Sequence, residues 1–382
     1  MAEPTSTVPE PEVQVSQQPH DQGAQSLEFP LGWLLDNATP SIKYRAAVDV
    51  AGLPSNEALA SLPYASPMAI QIALAQSLDG MWSERMLSLP QSPEAGIKGL
   101  GTIPAVRRLL ENGWDRESPP LAHARRPLFR LLSEDNDPHY LYELRGATTN
   151  PESALRGRQI LREAAAAALA QAGYEADPRI RGAARRILER IDAFLDSALS
   201  DKPWVRIGNR HVLSEGASPP SIYALVMLAH MPIFRSEHYP EMERLYAYLA
   251  QPKPSQEAVQ LYGKEVITQP HLVMGDMLHN RNVVDSDVPF ALMWLELMAR
   301  FGFLKRNDNW LKLFERFASD RKRDRVWRPH KGQEMPQSTN PYVWATFPLE
   351  DQQEGNSNGR WTDVTFRIGL IARLSGWRIE LV

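Results

Sequence analysis

A helix-ending motif that returns at a nearly even interval constrains the fold of this chain more than any other feature. An apolar or small residue stands four places before a glycine, and a bulky apolar residue follows it, at Val48/Gly52/Leu53, Leu109/Gly113/Trp114, Leu169/Gly173/Tyr174, Met298/Gly302/Phe303 and Ala372/Gly376/Trp377. Glycine ends helices because it takes the left-handed conformation without a Cβ penalty. A sixth copy, Leu228/Pro232/Ile233, has proline in the glycine position, and successive markers lie 61, 60, 59, 70 and 74 residues apart. Any one of these endings is common; the interval gives the set its weight. A period near sixty is too long for tetratricopeptide or ankyrin repeats and fits a two-helix hairpin with a substantial loop. One hairpin cannot bury its own apolar face, so six must stack, and closing the stack into a ring removes its exposed ends. The expected fold is all-α, an (α/α)6 toroid of six helical hairpins of about sixty residues, with an open solenoid as the alternative.

The pattern between the markers agrees. From Phe29 onward apolar residues recur at three-and-four spacing, with few runs of strand-like alternation. Asp177-Pro178 opens the clearest helix, with Asp as N-cap and Pro in the first turn, and Ile180, Ala184, Ile187, Leu188, Ile191, Phe194 and Leu195 share one face. Ile160 to Tyr174 contains five consecutive alanines, a strong helix former slim enough for close packing. Ser200 to Ser218 and Asp324 to Arg360, rich in Pro, Gly, Asn and Gln, are expected as long loops at one end of the assembly. Residues 1–26 hold four prolines and no Lys or Arg, which marks an unfolded leader and no signal peptide, so the ordered domain is 27–382 and the expected location is cytoplasmic.

Composition closes several function classes. The 382 residues carry a net charge of −4, so bulk electrostatics draws the chain to neither nucleic-acid phosphates nor anionic lipid. The chain has no cysteine, which excludes disulfides, a catalytic thiol and thiolate metal ligands. The longest apolar stretch, Tyr223 to Phe234, falls far short of the ~20 residues of a spanning helix and is interrupted by His230 and Pro232.

Gln76-Ser-Leu-Asp-Gly80-Met-Trp82, preceded by the apolar helix Met68 to Ala75, resembles the Gln-and-Trp motif of squalene and terpenoid cyclases. In that family the Gln side chain caps a neighbouring helix and the Trp ring stacks on it, tying repeats together. Trp33-Leu34-Leu35 with Pro40 to Arg45, a decayed version of the motif at Asp324 to Pro329, and a closing helix at Arg360 to Leu374 are similar to parts of the same prenyltransferase and squalene-cyclase repeat superfamily. The resemblance spans almost the whole ordered chain and implies the same α/α toroid.

It also implies chemistry. Class II cyclases start a carbocation cascade with a protonated aspartate in Asp-x-Asp-Asp before a ring helix; here Asp285-Ser286-Asp287-Val288 precedes an apolar helix, with Val in the last position. Asp287 and Asp285 are therefore the candidate acids of an isomerase or lyase, and the plainer reading makes Asp287 the N-cap of that helix. The prenyltransferase zinc site needs a cysteine that is absent. His271, Asp276, His279 and Asp285 could hold another metal but lack a compact signature, and His230 reads as an interior histidine. Gly96, Gly99 and Gly101 read as a turn and N-cap. Lys305 to Lys331 holds ten Lys and Arg against four Asp and Glu, and Arg321, Lys322, Arg323 and Arg325 form a candidate anion or partner patch or a solvated face. The leading expectation is a toroid that binds an apolar isoprenoid-type molecule in its central cavity, with no cofactor; the alternative is a non-catalytic scaffold for another protein.

Overall fold

The structure is a computed structural model; it describes residues 25–90, 96–133, 151–252, 258–262, 265–268, 271–278, 287–328, 349–350 and 361–382. The described residues are mostly helical. In chain order they form β1 (Ser26–Phe29), α1 (Leu31–Asn37), α2 (Pro40–Arg45, continued by a π turn Ala46–Val50), α3 (Glu57–Ser61), α4 (Pro67–Leu74), α5 (Thr102–Glu111), α6 (Pro119–Ser133) and α7 (Pro151–Gln171). Next come α8 (Pro178–Leu195), β2 (Trp204–Ile207), β3 (Arg210–Leu213), α9 (Ile222–Ala229), α10 (Pro232–Glu237), α11 (Tyr239–Leu249), β4 (Ala258–Tyr262) and β5 (Glu265–Thr268). The chain ends in α12 (Val288–Phe301), α13 (Asp308–Ser319), α14 (Trp361–Leu374) and β6 (Arg378–Leu381).

The repeating glycines end helices as their spacing predicts. Gly113, Gly173, Gly302 and Gly376 follow α5, α7, α12 and α14 with φ between 71° and 87°. The amide after each glycine donates back to the residue named four places before it: Trp114 to Leu109, Tyr174 to Leu169, Phe303 to Met298 and Trp377 to Ala372, at 2.9–3.1 Å. That is the six-to-one bond of the Schellman motif. At Gly52 the amide of Leu53 reaches Ala47, one residue further back than in the other copies, because the π turn inserts a residue before it. Pro232 differs: it opens α10, and His230 caps α9.

Six helices that end at these markers pack in succession: α5 on α7, α7 on α9, α9 on α12, α12 on α14, and α14 on the π turn of α2. Hydrogen bonds join α2 back to the end of α5, Ser41 Oγ to Asn112 Oδ1 at 2.7 Å and Arg45 Nη1 to the Glu111 carbonyl at 3.1 Å. A second set lies against them, α4 on α5, α6 on α7, α8 on α7 and α9, and α13 on α14. Close packing of α7 with α9 follows from residue size: Ala164 to Ala170 are fully buried, and their small side chains let the two backbones approach. All eight residues of α9 are buried too, so the first part of the longest apolar stretch is a core helix and the rest opens α10; among the described residues no helix is long and apolar enough to cross a membrane.

Strands modify the all-α expectation. β1 pairs in parallel with β6, Ser26 opposite Arg378 and Phe29 opposite Leu381, so the first described element is zipped to the last. Ser26, placed in the leader by sequence, thus belongs to the ordered part. The loop expected over Ser200 to Ser218 contains the β2–β3 hairpin, with Ile207 opposite Arg210 and Gly208 at φ 58° in its two-residue turn. The Gly-Asn pair between Trp-Val-Arg-Ile and Arg-His-Val-Leu is a hairpin signal that polar composition obscured. β4 and β5 extend this hairpin to a four-stranded sheet in the order β2-β3-β4-β5.

Candidate functional site

Glu111, Gln171, His230 and Arg300 each stand two residues before one of the markers, and all four line one cleft of about 650 Å³. Arg45 and Asp49 from the end of α2 complete its floor, and Tyr44, Tyr64, Trp114, Asp115 and Arg116 stand around it. The C-terminal ends of α2, α5, α7, α9 and α12 therefore face a common space, and Arg373 near the end of α14 lies beside Gly52. Carbonyls at helix C-termini carry partial negative charge, which favours cations at this end. Arg235 answers it directly, donating to the carbonyls of Leu228, Ala229 and Arg300 at 2.6–2.7 Å.

Under the floor runs a closed network of ion pairs. Arg367, 2% exposed, donates Nε to Asp363 at 3.0 Å, Nη1 to Glu296 at 3.1 Å and Nη2 to Glu111 at 3.3 Å. Arg45 bridges Asp49 at 2.8 Å and Glu111 at 3.2 Å, with its guanidinium over the Phe366 ring. Arg300 closes on Glu296 through Nε and Nη2 at 3.0 and 2.8 Å. Burial pushes the Glu296 carboxyl up, but the guanidiniums of Arg300, Arg367 and Arg45 outweigh it and hold the group well below the usual carboxylate range. The same carboxylates hold Arg45 and Arg367 above their ordinary values despite burial. Multiple partners for each buried charge are what make such burial tolerable.

Arg107 stands apart from this pairing. It is buried, its Nε donates to Gln171 Oε1 at 3.1 Å, and among the described residues it has no carboxylate within ion-pair distance. Burial lowers its pKa. Gln171 turns its amide nitrogen to Glu111 at 3.0 Å, relaying Arg107 to the network. Arg107, Gln171, His230, Glu111, Glu296 and Arg300, with the apolar side chains of Ile222, Val226, Met293 and Leu297, line a recess of about 30 Å³, the room of one water molecule. His230 Nδ1 lies 2.9 Å from the Val226 carbonyl, which can only accept, so Nδ1 carries the proton and Nε2 is an acceptor. Burial and the neighbouring Arg300 push His230 down to about 3, so the ring is neutral.

The residues singled out by sequence lie elsewhere. Asp287 caps α12, accepting from the Phe290 amide at 3.1 Å, at the far end of that helix from Arg300 and about 20 Å away along its axis. Asp285 and His279 lie outside the described residues. Gln76 Nε2 donates to the carbonyls of Pro120 at 2.8 Å and Gly80 at 3.0 Å, joining the end of α4 to the start of α6, while Trp82 Nε1 reaches the Ile72 carbonyl. Gly80, at φ 86°, leaves no room for a Cβ, which would meet the His123 carbonyl oxygen at 2.5 Å. Arg321 and Arg325 both hold β1, the first at the Glu28 carbonyl and the second at its carboxylate, which leaves Lys322 and Arg323 exposed. Asp276 accepts from Trp310 Nε1 at 2.8 Å, and burial pushes His271 down to about 4; among the described residues no group of three or more His, Cys, Asp or Glu could hold a metal ion. Gly101 is the N-cap residue of α5.

Sequence reasoning missed Arg107, Glu111, Gln171, Glu296, Arg300 and Arg367. A signal was present: once the markers are aligned, the second residue before each is polar in four of six copies, and equal offsets in equivalent repeats fall at one level of a stack. No family model matches the chain, and no curated protein or solved structure matches it either.

Proposed function

We propose that the chain is an (α/α)6 toroid of six helical hairpins and that it holds a small polar molecule in the cleft at the C-terminal end of its inner helices. The unbroken succession of packed helices from α2 through α5, α7, α9, α12 and α14 back to α2 supports the ring. One observation carries the ligand class: the space where these helix ends meet is floored by fixed, mutually compensated charges. An apolar molecule laid on that floor would strip water from charged groups and return nothing, whereas a polar one replaces the lost hydrogen bonds. Its size, about 650 Å³, is that of a small-molecule site.

An isoprenoid-type ligand with acid-initiated cyclase or isomerase chemistry at Asp287 is the second reading, and the tie that Gln76 makes between α4 and α6 favours it, since the cyclase motif implies that link. The two readings place the ligand at opposite ends of α12. Native mass spectrometry of the full chain, with saturation-transfer NMR against polar metabolites and against farnesol, separates them. Polar binders that are lost on Arg300→Gln support the cleft. A stoichiometric apolar passenger that survives Arg300→Gln and changes on Asp287→Asn overturns it.

A further inference from the structure

The recess behind the cleft is narrower in its demands than the cleft itself. Its volume of about 30 Å³ admits one water-sized group. Two guanidinium donors, Arg107 and Arg300, line it together with the His230 imidazole, whose Nδ1 is committed to the Val226 carbonyl and whose Nε2 therefore accepts, and aliphatic side chains such as Ile222 and Leu297 make up much of the rest of the wall. Glu111 and Glu296, also at the wall, are acceptors, Glu111 already bonded by Arg45, Gln171 and Arg367 and Glu296 by Arg300 and Arg367. A carboxylate or phosphate oxygen would satisfy Arg107 but face the His230 lone pair and two carboxylates. An ammonium group would satisfy those and face two guanidiniums. A hydroxyl does both at once, accepting from a guanidinium and donating to an imidazole nitrogen. Outside the recess, Tyr64 and Trp114 present a tilted aromatic pair, centroids 4.9 Å apart, on the cleft wall, and Tyr64 is 41% exposed. Exposed aromatic rings beside planar polar side chains such as Asp49, Arg116 and Gln171 suit a molecule whose C–H bonds form one face and whose hydroxyls form its edge.

Resting on the proposed polar-ligand cleft, we infer that the ligand is a saccharide or cyclic polyol, one hydroxyl of which enters the recess between Arg107 and His230 while a ring face lies against Tyr64 and Trp114. No bond is made or broken in this step; it is a binding site. The arrangement also accounts for Arg107, a buried guanidinium with no ion-pair partner among the described residues, which is a cost to the ligand-free protein that a ligand offsets.

The test uses the full chain with glucose, galactose, trehalose and myo-inositol as probes, malonate and inorganic phosphate as anions, and glycine betaine as a cation, read by saturation-transfer NMR and by the unfolding midpoint. At least one of the four polyols should bind. Arg107→Met should weaken that binding tenfold or more without lowering the ligand-free midpoint, and Tyr64→Ala, at an exposed position, should weaken it severalfold. Polyol binding unchanged by both variants overturns the inference. So does binding of malonate, phosphate or betaine alone, although the cleft reading then stands if Arg300→Gln abolishes it. Absence of binding by every probe overturns the inference and removes the support for the cleft as well. A midpoint rise with phosphate that persists in Arg107→Met is solvent exclusion and counts against an anion site.

Discussion

Replacing Arg367 with methionine tests whether the ion-pair network beneath the cleft holds the helices together. The guanidinium is 2% exposed and bonds Asp363, Glu296 and Glu111 at 3.0, 3.1 and 3.3 Å. Methionine fills most of the volume, so the loss is electrostatic. Removing one partner of a buried ion pair costs about 3–5 kcal/mol, because the survivor is left buried and uncompensated. Glu111 keeps Arg45 and Glu296 keeps Arg300, whereas Asp363 is left with the Leu349 amide, at 2.8 Å, among the bonds described. The expected loss is about 4 kcal/mol at pH 7, measured by urea unfolding followed by far-UV circular dichroism. A pH dependence should accompany it. Glu296 has a folded pKa held below its ordinary 4.5; a depressed carboxyl contributes stability that is fully present above the unfolded value and is lost as pH falls through the folded value. The variant has less of this contribution to lose, so the gap between parent and variant should narrow by up to about 1 kcal/mol between pH 7 and pH 4. A gap under about 1 kcal/mol at pH 7, or one that widens toward pH 4, would falsify the argument.

Two further outcomes are expected. Gly113 and Gly302 both sit at positive φ, 87° and 77°, but a Cβ at Gly113 would lie 2.7 Å from Tyr44 Cδ1 while one at Gly302 meets nothing within 4 Å. Alanine at Gly302 should cost about 1 kcal/mol from backbone strain alone, and alanine at Gly113 roughly 1–2 kcal/mol more, so thermal unfolding that ranks them the other way refutes the contact. His230, neutral with a pKa near 3, should show no imidazole titration by NMR between pH 5 and 8, and ligand binding that changes through that range would mean the ring is charged in the cleft.

What the sequence makes legible here is what repeats. The Schellman endings are local, set by a glycine and the two apolar residues around it, so the amino-acid sequence alone suffices to count them. The N-caps at Asp177 and Asp287 are local too, each accepting from a backbone amide two or three residues on. The β1–β6 pair joins residues some 350 positions apart, and nothing in Ser-Leu-Glu-Phe names Arg-Ile-Glu-Leu as its partner. The same holds for the buried network. Arg45, Glu111, Glu296 and Arg367 come from four helices, and each alone looks like a charged residue on a solvated helix face. Nothing in helical period marks such residues as buried, because most charges face water; here the faces that carry them turn toward one another.

That inversion follows from where the helices end. The C-terminal ends of α2, α5, α7, α9 and α12 meet at one cleft, and with them comes the partial negative charge of their unsatisfied carbonyls. Arginine is suited to such a place, since a planar guanidinium can bond several acceptors while remaining charged in a buried setting. Arg235 caps two helix ends at once in this way. Carboxylates then balance the arginines: Asp49, Glu111, Glu296 and Asp363 match Arg45, Arg107, Arg300 and Arg367 one for one, and three of those arginines are directly paired. The fourth, Arg107, faces the recess with Gln171 as its hydrogen-bond partner among the described residues. A network that served stability alone would gain by pairing it or replacing it with an apolar side chain. Beside a neutral histidine and an open cleft, a guanidinium without an ion pair among the described residues is what the proposed ligand would offset, and loss of polyol binding in Arg107→Met is the result that would tie the residue to that role.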